Sequence, residues 1–400
     1  GTVSFAAGET SKVITVNVQG DTTVEPDENF TVTLFNATNG ATLGTPSTAT
    51  ATIVDDDGSG PFLLRDIFVT SGSSSPINLT VVGNTLFFTA DDGVNGRELW
   101  KSDGTANDAV LVRDIRAGTS SSYAGNLTAV GNTLYFRAND ASTGSELWKS
   151  DGTANGTVLV KDIRIGSSGS VPEYLTAVGN ILYFRSNDGT SGYELWKSDG
   201  TAIGTVLVKD IRIGSSSSYP LYLTAVGNTL YFRANDASTG SELWKSDGTA
   251  NGTVLVRDIR AGSDSSSPRN LAVVGNTLYF TSNDGVNGDE LWKSDGTANG
   301  TILVKDIAPG SSGSYPGNLT VVGNTLFFTA DDGVNGTELW KSDGTAAGTV
   351  LVKDIAPYSS GSYPGNLTVV GNTLFFTADD GVNGTELWKS DGTAAGTVLV

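Results

Sequence analysis

The stretch Glu98-Leu99-Trp100-Lys101-Ser102-Asp103-Gly104-Thr105 decides the fold, because the same letters return from Glu146, Glu194, Glu242, Glu290, Glu338 and Glu386. The chain has seven tryptophans, Trp100, Trp148, Trp196, Trp244, Trp292, Trp340 and Trp388, each 48 residues from the next. A fixed period of this length marks a propeller or solenoid, in which each copy is a supersecondary unit unable to bury its apolar surface alone.

One copy shows what the unit is. From Asn318 the chain carries four short runs rich in Val, Leu, Thr, Phe and Trp, separated by Gly, Asn, Asp and Ser. Each run is too short for a helix, so strands are expected at Leu319–Val322, Thr325–Ala330, Glu338–Ser342 and Thr349–Ile355. Gly323-Asn324 and Asn335-Gly336 supply residues that tolerate positive φ for the tight turns. Leu326-Phe327-Phe328 and Val350-Leu351-Val352 put apolar groups on both faces. A sheet with one wet face would alternate; a blade packed between two neighbours does not. The pattern predicts an all-β chain built around a β-propeller of about seven four-stranded blades. Each tryptophan fills a layer between blades, burying on the order of 200 Å².

The blade count has two readings. Phe62-Leu63-Leu64-Arg65-Asp66-Ile67 matches the fourth strand of a copy but follows no first three, and Val398 begins another fourth strand that stops at Val400. The early strand is expected either to complete the last blade and close a seven-membered ring, or to belong to a ring of eight or more completed by sequence outside this stretch. With Gly1 at its start and no methionine, the chain reads as a segment of a longer polypeptide. Pro316–Val352 recurs letter for letter as Pro364–Val400, so mispairing between copies is an expected folding fault.

Composition removes several function classes. The net charge is −19, which disfavours nucleic acid as a partner. There is no Cys and no His, hence no disulfide framework, thiolate nucleophile or imidazole chemistry. No apolar run reaches the roughly 18 residues that cross a bilayer, so no membrane insertion is expected within this segment.

Residues 1–57 differ in pattern. Val3–Phe5, Lys12–Val18, Asn29–Phe35 and Thr48–Val54 read as strands of a β-sandwich. The line FAAGETSKVITVNVQGDTTVEPDENFTVTL, followed by ATATIVDDD, resembles the later part of a Calx-β domain. That resemblance implies a calcium site at one end of the sandwich, carried onto Asp21, Glu25, Glu28, Asp55, Asp56 and Asp57. Calcium takes about 6–8 hard oxygens, which a carboxylate cluster supplies. Thr22 and Thr23 stand where acidic copies can carry further carboxylates, and a solvated acidic turn is the plain alternative. The composition of residues 58–61 leads one to expect a flexible linker there, with the repeats over 62–400.

The repeat resembles the bacterial ELWxxDGT repeat family, whose name Glu338-Leu339-Trp340-Lys341-Ser342-Asp343-Gly344-Thr345 spells. The resemblance implies a part of a large secreted or surface protein, with no activity attached.

Candidate sites separate into repeated and singular ones. Asp103 and its counterparts are expected to accept backbone N–H groups in a turn, since an aspartate present in every blade does not make one active site. The Asp331–Gly336 loop is similarly expected to be a metal-free hairpin. Differences between copies are where a singular site would lie: Arg137, Arg185 and Arg233 replace the Thr89, Thr281, Thr329 and Thr377 of other blades. They make one arc more basic and could receive an anionic glycan; pairing with nearby Asp and Glu explains them equally. The expected function is a non-catalytic extracellular or cell-surface module for adhesion or ligand binding, its partner a glycan or a surface protein. The alternatives are a carbohydrate-active enzyme with paired carboxylates at the propeller mouth, and a passive spacer.

Overall fold

The structure is a computed structural model that describes residues 2–16, 28–53, 63–69, 71–105, 108–357 and 361–400. They fall into two compact units, Gly1–Leu64 and Arg65–Val400.

In the first unit, β1 (Glu28–Thr33) pairs antiparallel with β2 (Thr48–Ile53), in a register that joins Glu28 to Ile53 and Thr33 to Thr48. The Thr52 hydroxyl donates to Asn29 Oδ1 across the pair, at 2.7 Å. Two of the four expected strands therefore form. Val3–Phe5 and the described part of Lys12–Val18 are not strands. Phe5, Val13 and Phe35 are 57%, 91% and 73% exposed, so the alternation finds no second layer to bury against among the described residues. An alternating run is held in place by that layer.

Among its described residues the second unit has seven four-stranded antiparallel sheets, each with its strands in chain order. In the first blade these are β3 (Ile77–Val82), β4 (Thr85–Asp91), β5 (Arg97–Ser102) and β6 (Val110–Arg113). The described residues are thus all-β: a two-stranded N-terminal unit, followed in the sequence by a propeller-like array of blades. First strands of successive blades run beside one another, which makes them the inner strands of the array. The outer strand is shorter than the sequence suggests, Val350–Lys353 in the sixth blade; it carries a bulge opposite Leu339/Trp340, and beyond it the Ile355 N–H goes to the Glu338 carboxylate rather than to a neighbouring strand.

Each core layer is shared between neighbours. Tyr135, Leu147, Val160 and Ile163 of the second blade close on Leu182, Phe184 and Trp196 of the third, and the other layers repeat the pattern. All seven tryptophans are buried, six of them in these layers and Trp100 against Ile67, Phe88 and Ala90. Over Trp148, Trp244, Trp292, Trp340 and Trp388 a cation from the preceding outer strand covers the ring: Lys209 Nζ lies 5.8 Å from the Trp244 centroid and donates to Thr253 O at 2.8 Å. Lys305 and Lys353 do the same over Trp340 and Trp388. Lys209→Met keeps the apolar stem and removes both contacts, so a loss of about 1–2 kcal/mol is expected in urea unfolding.

The expected strand at Phe62–Ile67 is absent; Phe62 lies outside the described residues, and Leu63–Ile67 have no strand conformation. The outer strand always pairs with the third strand of its own blade, and the last third strand, Thr385–Ser390, pairs with Val398–Leu399. The early segment instead packs Ile67 against Phe88, Ala90 and Trp100, while Arg65 Nη1 donates to Ala109 O at 2.8 Å. Leu387 is 46% exposed although its six counterparts are fully buried, and Leu79 and Val81 are both 63% exposed. The outer faces of the last and first blades are therefore not packed on one another.

Candidate ligand site

The repeated carboxylates come first, because they recur at every blade. Glu98, Glu146, Glu194, Glu242, Glu290 and Glu338 are each fully buried. Each is the second residue of the tryptophan strand and reaches the loop that leads to the next blade. Glu146 Oε2 accepts the Ile163 N–H at 3.1 Å and the Ser170 hydroxyl at 2.5 Å, and Oε1 accepts the Ser170 N–H at 2.6 Å. Burial pushes the carboxyls of Glu98, Glu194 and Glu242 up to about 7, although their hydrogen bonds oppose it. Burial likewise raises Glu146, Glu290 and Glu338. Glu386 is exposed.

The turn aspartates are also engaged. Asp151 Oδ1 accepts the Thr153 N–H and hydroxyl at 2.8 and 2.7 Å, and the same pair of bonds recurs from Asp199 to Asp391. The Thr153 hydroxyl bond, then its N–H, hold the Asp151 carboxyl below its usual range. In the Asp331–Gly336 loop, Asp332 Oδ1 accepts the N–H groups of Val334 and Asn335, and Asp331 Oδ1 that of Gly333. Among the described residues no cluster of three or more acidic groups is arranged to hold a metal ion.

The singular features gather on the inner strands of the third and fourth blades. In both inner-strand pairs a bulge follows the first residue, and the residue in it has left-handed backbone. Asn78, Asn126, Asn270, Asn318 and Asn366 hold this position in five blades, with φ between 52° and 58°. Asparagine tolerates that conformation. Its amide is also useful: Asn126, Asn270 and Asn318 donate to the carbonyls of Pro172, Pro316 and Pro364 in the next blade, at 3.1 to 3.3 Å. The third and fourth blades instead carry Tyr174 and Tyr222, at φ 56° and 57° and exposed by 45% and 40%. A non-glycine residue held there costs on the order of 1–3 kcal/mol, and such strain gathers at functional positions.

The three sequence-selected arginines lie beside these tyrosines. Arg137, Arg185 and Arg233 pair in register with Gly125, Glu173 and Leu221, the residues that open the inner strands. Arg137 and Arg185 share one carboxylate, Glu173: Arg137 Nη1 is 3.4 Å from Oε1, and Arg185 Nη2 contacts Oε2. Arg185 also lies 4.6, 5.2 and 5.9 Å from the ring centroids of Tyr174, Tyr193 and Tyr219, the last two stacked on each other. Arg233 sits 5.0 Å from the Tyr222 centroid and has no carboxylate partner among the described residues. Burial lowers its pKa, the Tyr222 phenol opposes this, and Arg269 adds to it. Arg269 is itself paired with Asp289 at 2.8 Å. A cavity of about 370 Å³ opens between the second and third inner strands, lined by Asn126, Leu127, Thr128, Glu173, Tyr174 and Leu175.

Charge pairing thus accounts for Arg137 and Arg185 and leaves Arg233 over. The tyrosines were missed in the sequence, although their signal was present: Tyr174 and Tyr222 break a column that is otherwise asparagine. The expected calcium ligands Asp21, Glu25, Asp55, Asp56 and Asp57 lie outside the described residues, as does the Glu28 side chain. The register that joins Glu28 to Ile53 makes the chain enter β1 and leave β2 at the same end of the sheet.

Residues 1–57 match the family model of the Calx-beta domain. The sodium/calcium exchanger 1 of Mus musculus is 42% identical over 83 aligned residues, covering 16% of this chain and 9% of the exchanger. That of Bos taurus is 41% identical with the same coverage. The matched part therefore spans less than a tenth of the length of these curated relatives. Among solved structures, a prolyl endopeptidase is similar over 82% of this chain and 50% of its own, at 10% identity and a TM-score of 0.47. The β-propeller domain of the trilobed protease from Pyrococcus furiosus is similar over 80% of this chain and 96% of its own, at 10% identity and a TM-score of 0.41.

Proposed function

We propose that this chain is a non-catalytic binding module of an extracellular or cell-surface protein, its repeats of the bacterial ELWxxDGT type and its Calx-beta unit responsive to calcium. One observation carries the reading. The repeated carboxylates that an acid–base enzyme would need are engaged as acceptors inside the blades: each of the six buried glutamates holds a loop, and the turn aspartates hold their own turns. Paired-carboxylate catalysis requires two carboxyl groups free to meet a substrate from opposite sides. The place where the blades differ presents cations and aromatic rings, which suit recognition.

Turnover tests this directly. The chain should leave plant, algal and bacterial polysaccharides unchanged over prolonged incubation; product formation that a single carboxylate substitution abolishes would refute the reading.

The calcium part rests on the Calx-beta match and on the chemistry of the acidic residues at 21–28 and 55–57, which are hard oxygen donors. Hydrogen exchange read peptide by peptide suits it, because residues 1–57 hold no Tyr or Trp to report by fluorescence. Millimolar calcium is expected to slow exchange in peptides covering 21–28 and 55–57 and nowhere in 65–400. Unchanged exchange throughout would remove calcium from the account.

A further inference from the structure

We infer that the inner rim of the third and fourth blades binds a glycan carrying an isolated carboxylate: the sugar rings stack on Tyr174 and Tyr222, and the carboxylate pairs with Arg233. The inference rests on the non-catalytic binding reading and names the ligand for it.

Three observations converge on this rim. Two blades give up the asparagine that, in the second, fifth and sixth, bonds the next blade, and they hold a tyrosine in left-handed backbone instead. Each ring has a guanidinium over it, Arg185 at Tyr174 and Arg233 at Tyr222, and the two still present 45% and 40% of their surface to solvent. An exposed aromatic face held by the backbone is a platform for the apolar face of a sugar, because a rigid ring loses little freedom on stacking.

The charges then choose the sugar. Glu173 already engages Arg137 and Arg185, while Arg233 keeps a guanidinium without a carboxylate partner among the described residues. A planar guanidinium matches a planar carboxylate through two parallel N–H bonds. One such group calls for one carboxylate, where a dense polyanion would meet a chain of net charge −19. Single-stranded nucleic acid also stacks on tyrosines, yet it brings a phosphate with every base and needs a basic groove along its path. The cavity beside Tyr174 adds Asn126, Thr128 and Glu173, whose polar groups suit sugar hydroxyls.

The test uses immobilised oligosaccharides ending in sialate or glucuronate, each beside its neutral core, with a thymidine oligonucleotide as a third probe. The full chain is expected to prefer an acidic oligosaccharide over its core by about tenfold or more. Calorimetry on the best of them then compares variants. Arg233→Gln should bring the acidic sugar to the level of its core. Tyr174→Asn with Tyr222→Asn should lose binding of both sugars. Because this change restores the residue of the other five blades, the thermal midpoint should hold or rise. A fall in the midpoint would make the tyrosines structural and overturn the inference. Equal binding of acid and core would overturn the role of Arg233, and preference for the oligonucleotide would overturn the ligand class. Binding of none of the probes would overturn the site while leaving the non-catalytic reading intact; cleavage of the sugar would overturn both.

Discussion

Glu242→Ala is expected to lower the unfolding free energy by about 3–5 kcal/mol in a urea titration. The carboxylate accepts the Ile259 N–H at 3.0 Å, the Ser266 N–H at 2.7 Å and the Ser266 hydroxyl, and all of these are buried. Alanine would leave two backbone donors and one hydroxyl without an acceptor in a place water does not reach. It would also free the loop that carries the chain from the fourth blade to the fifth. The same substitution at Glu386 provides the control, since that residue is exposed and stands in the same eight-letter motif. Glu386→Ala should change stability by less than about 0.5 kcal/mol. If the two substitutions cost the same, the glutamate acts through the motif's local conformation rather than through the buried bonds.

The second large effect is a loss of stability on raising the pH from 5 to 8. Glu98, Glu194 and Glu242 titrate near 7 when folded and near 4.5 when unfolded, with burial as the first cause; Asp210 and Asp258 add repulsion at the last two. Between those values the folded chain binds protons that the unfolded chain has lost. The stabilising contribution is therefore complete below about pH 4.5 and disappears as the pH rises through 7, on the order of 1–3 kcal/mol for each of the three. The loop aspartates set the acid limit. Burial would raise Asp140, Asp188 and Asp236, but backbone N–H bonds outweigh it and hold them below 3.8. Stability from a lowered carboxyl is lost as the pH falls through its folded value. The thermal midpoint should accordingly peak between about pH 4.5 and 6. Glu→Gln at positions 98, 194 and 242 should flatten the alkaline limb, at the cost of some bonds. A midpoint that rises steadily from pH 5 to 8 would show that these glutamates are charged in the folded chain.

Much of the architecture was legible because repetition multiplies a weak signal. One run such as Thr325–Asp331 is too short to assign with security, yet seven copies in register with seven tryptophans leave little else than a stack of blades. The turns at Gly323 and Gly336 were equally readable, since both carry positive φ. What the sequence concealed depended on partners. Leu63–Ile67 has the letters of an outer strand, but strand identity is set by the third strand beside it, and that partner goes to Val398–Leu399. Val13 and Phe5 alternate correctly and still form no strand, because alternation says which face is apolar and not whether a second layer exists.

The candidate site was half legible for a related reason. Arg137, Arg185 and Arg233 stand out as three cations in a threonine column. That Glu173 takes up two of them follows from pairing across the inner bulge and between blades, which spacing does not reveal. The buried glutamates were hidden by their own regularity: the letter before Leu-Trp looks like a surface charge until the loop that folds over it is seen.

The account turns on those six glutamates, and their titration is the measurement that tests it most directly. The chain contains eleven glutamates, few enough for carbon-detected NMR of selectively labelled side-chain carboxyls across pH 3 to 9. Six resonances should titrate above the ordinary carboxylate range, those of Glu98, Glu194 and Glu242 near 7, and each should vanish from that range in the matching Glu→Gln variant. All eleven titrating together near 4.5 would mean that the repeated carboxylates face water, available to a substrate, and would contradict the scaffold role on which the non-catalytic reading stands.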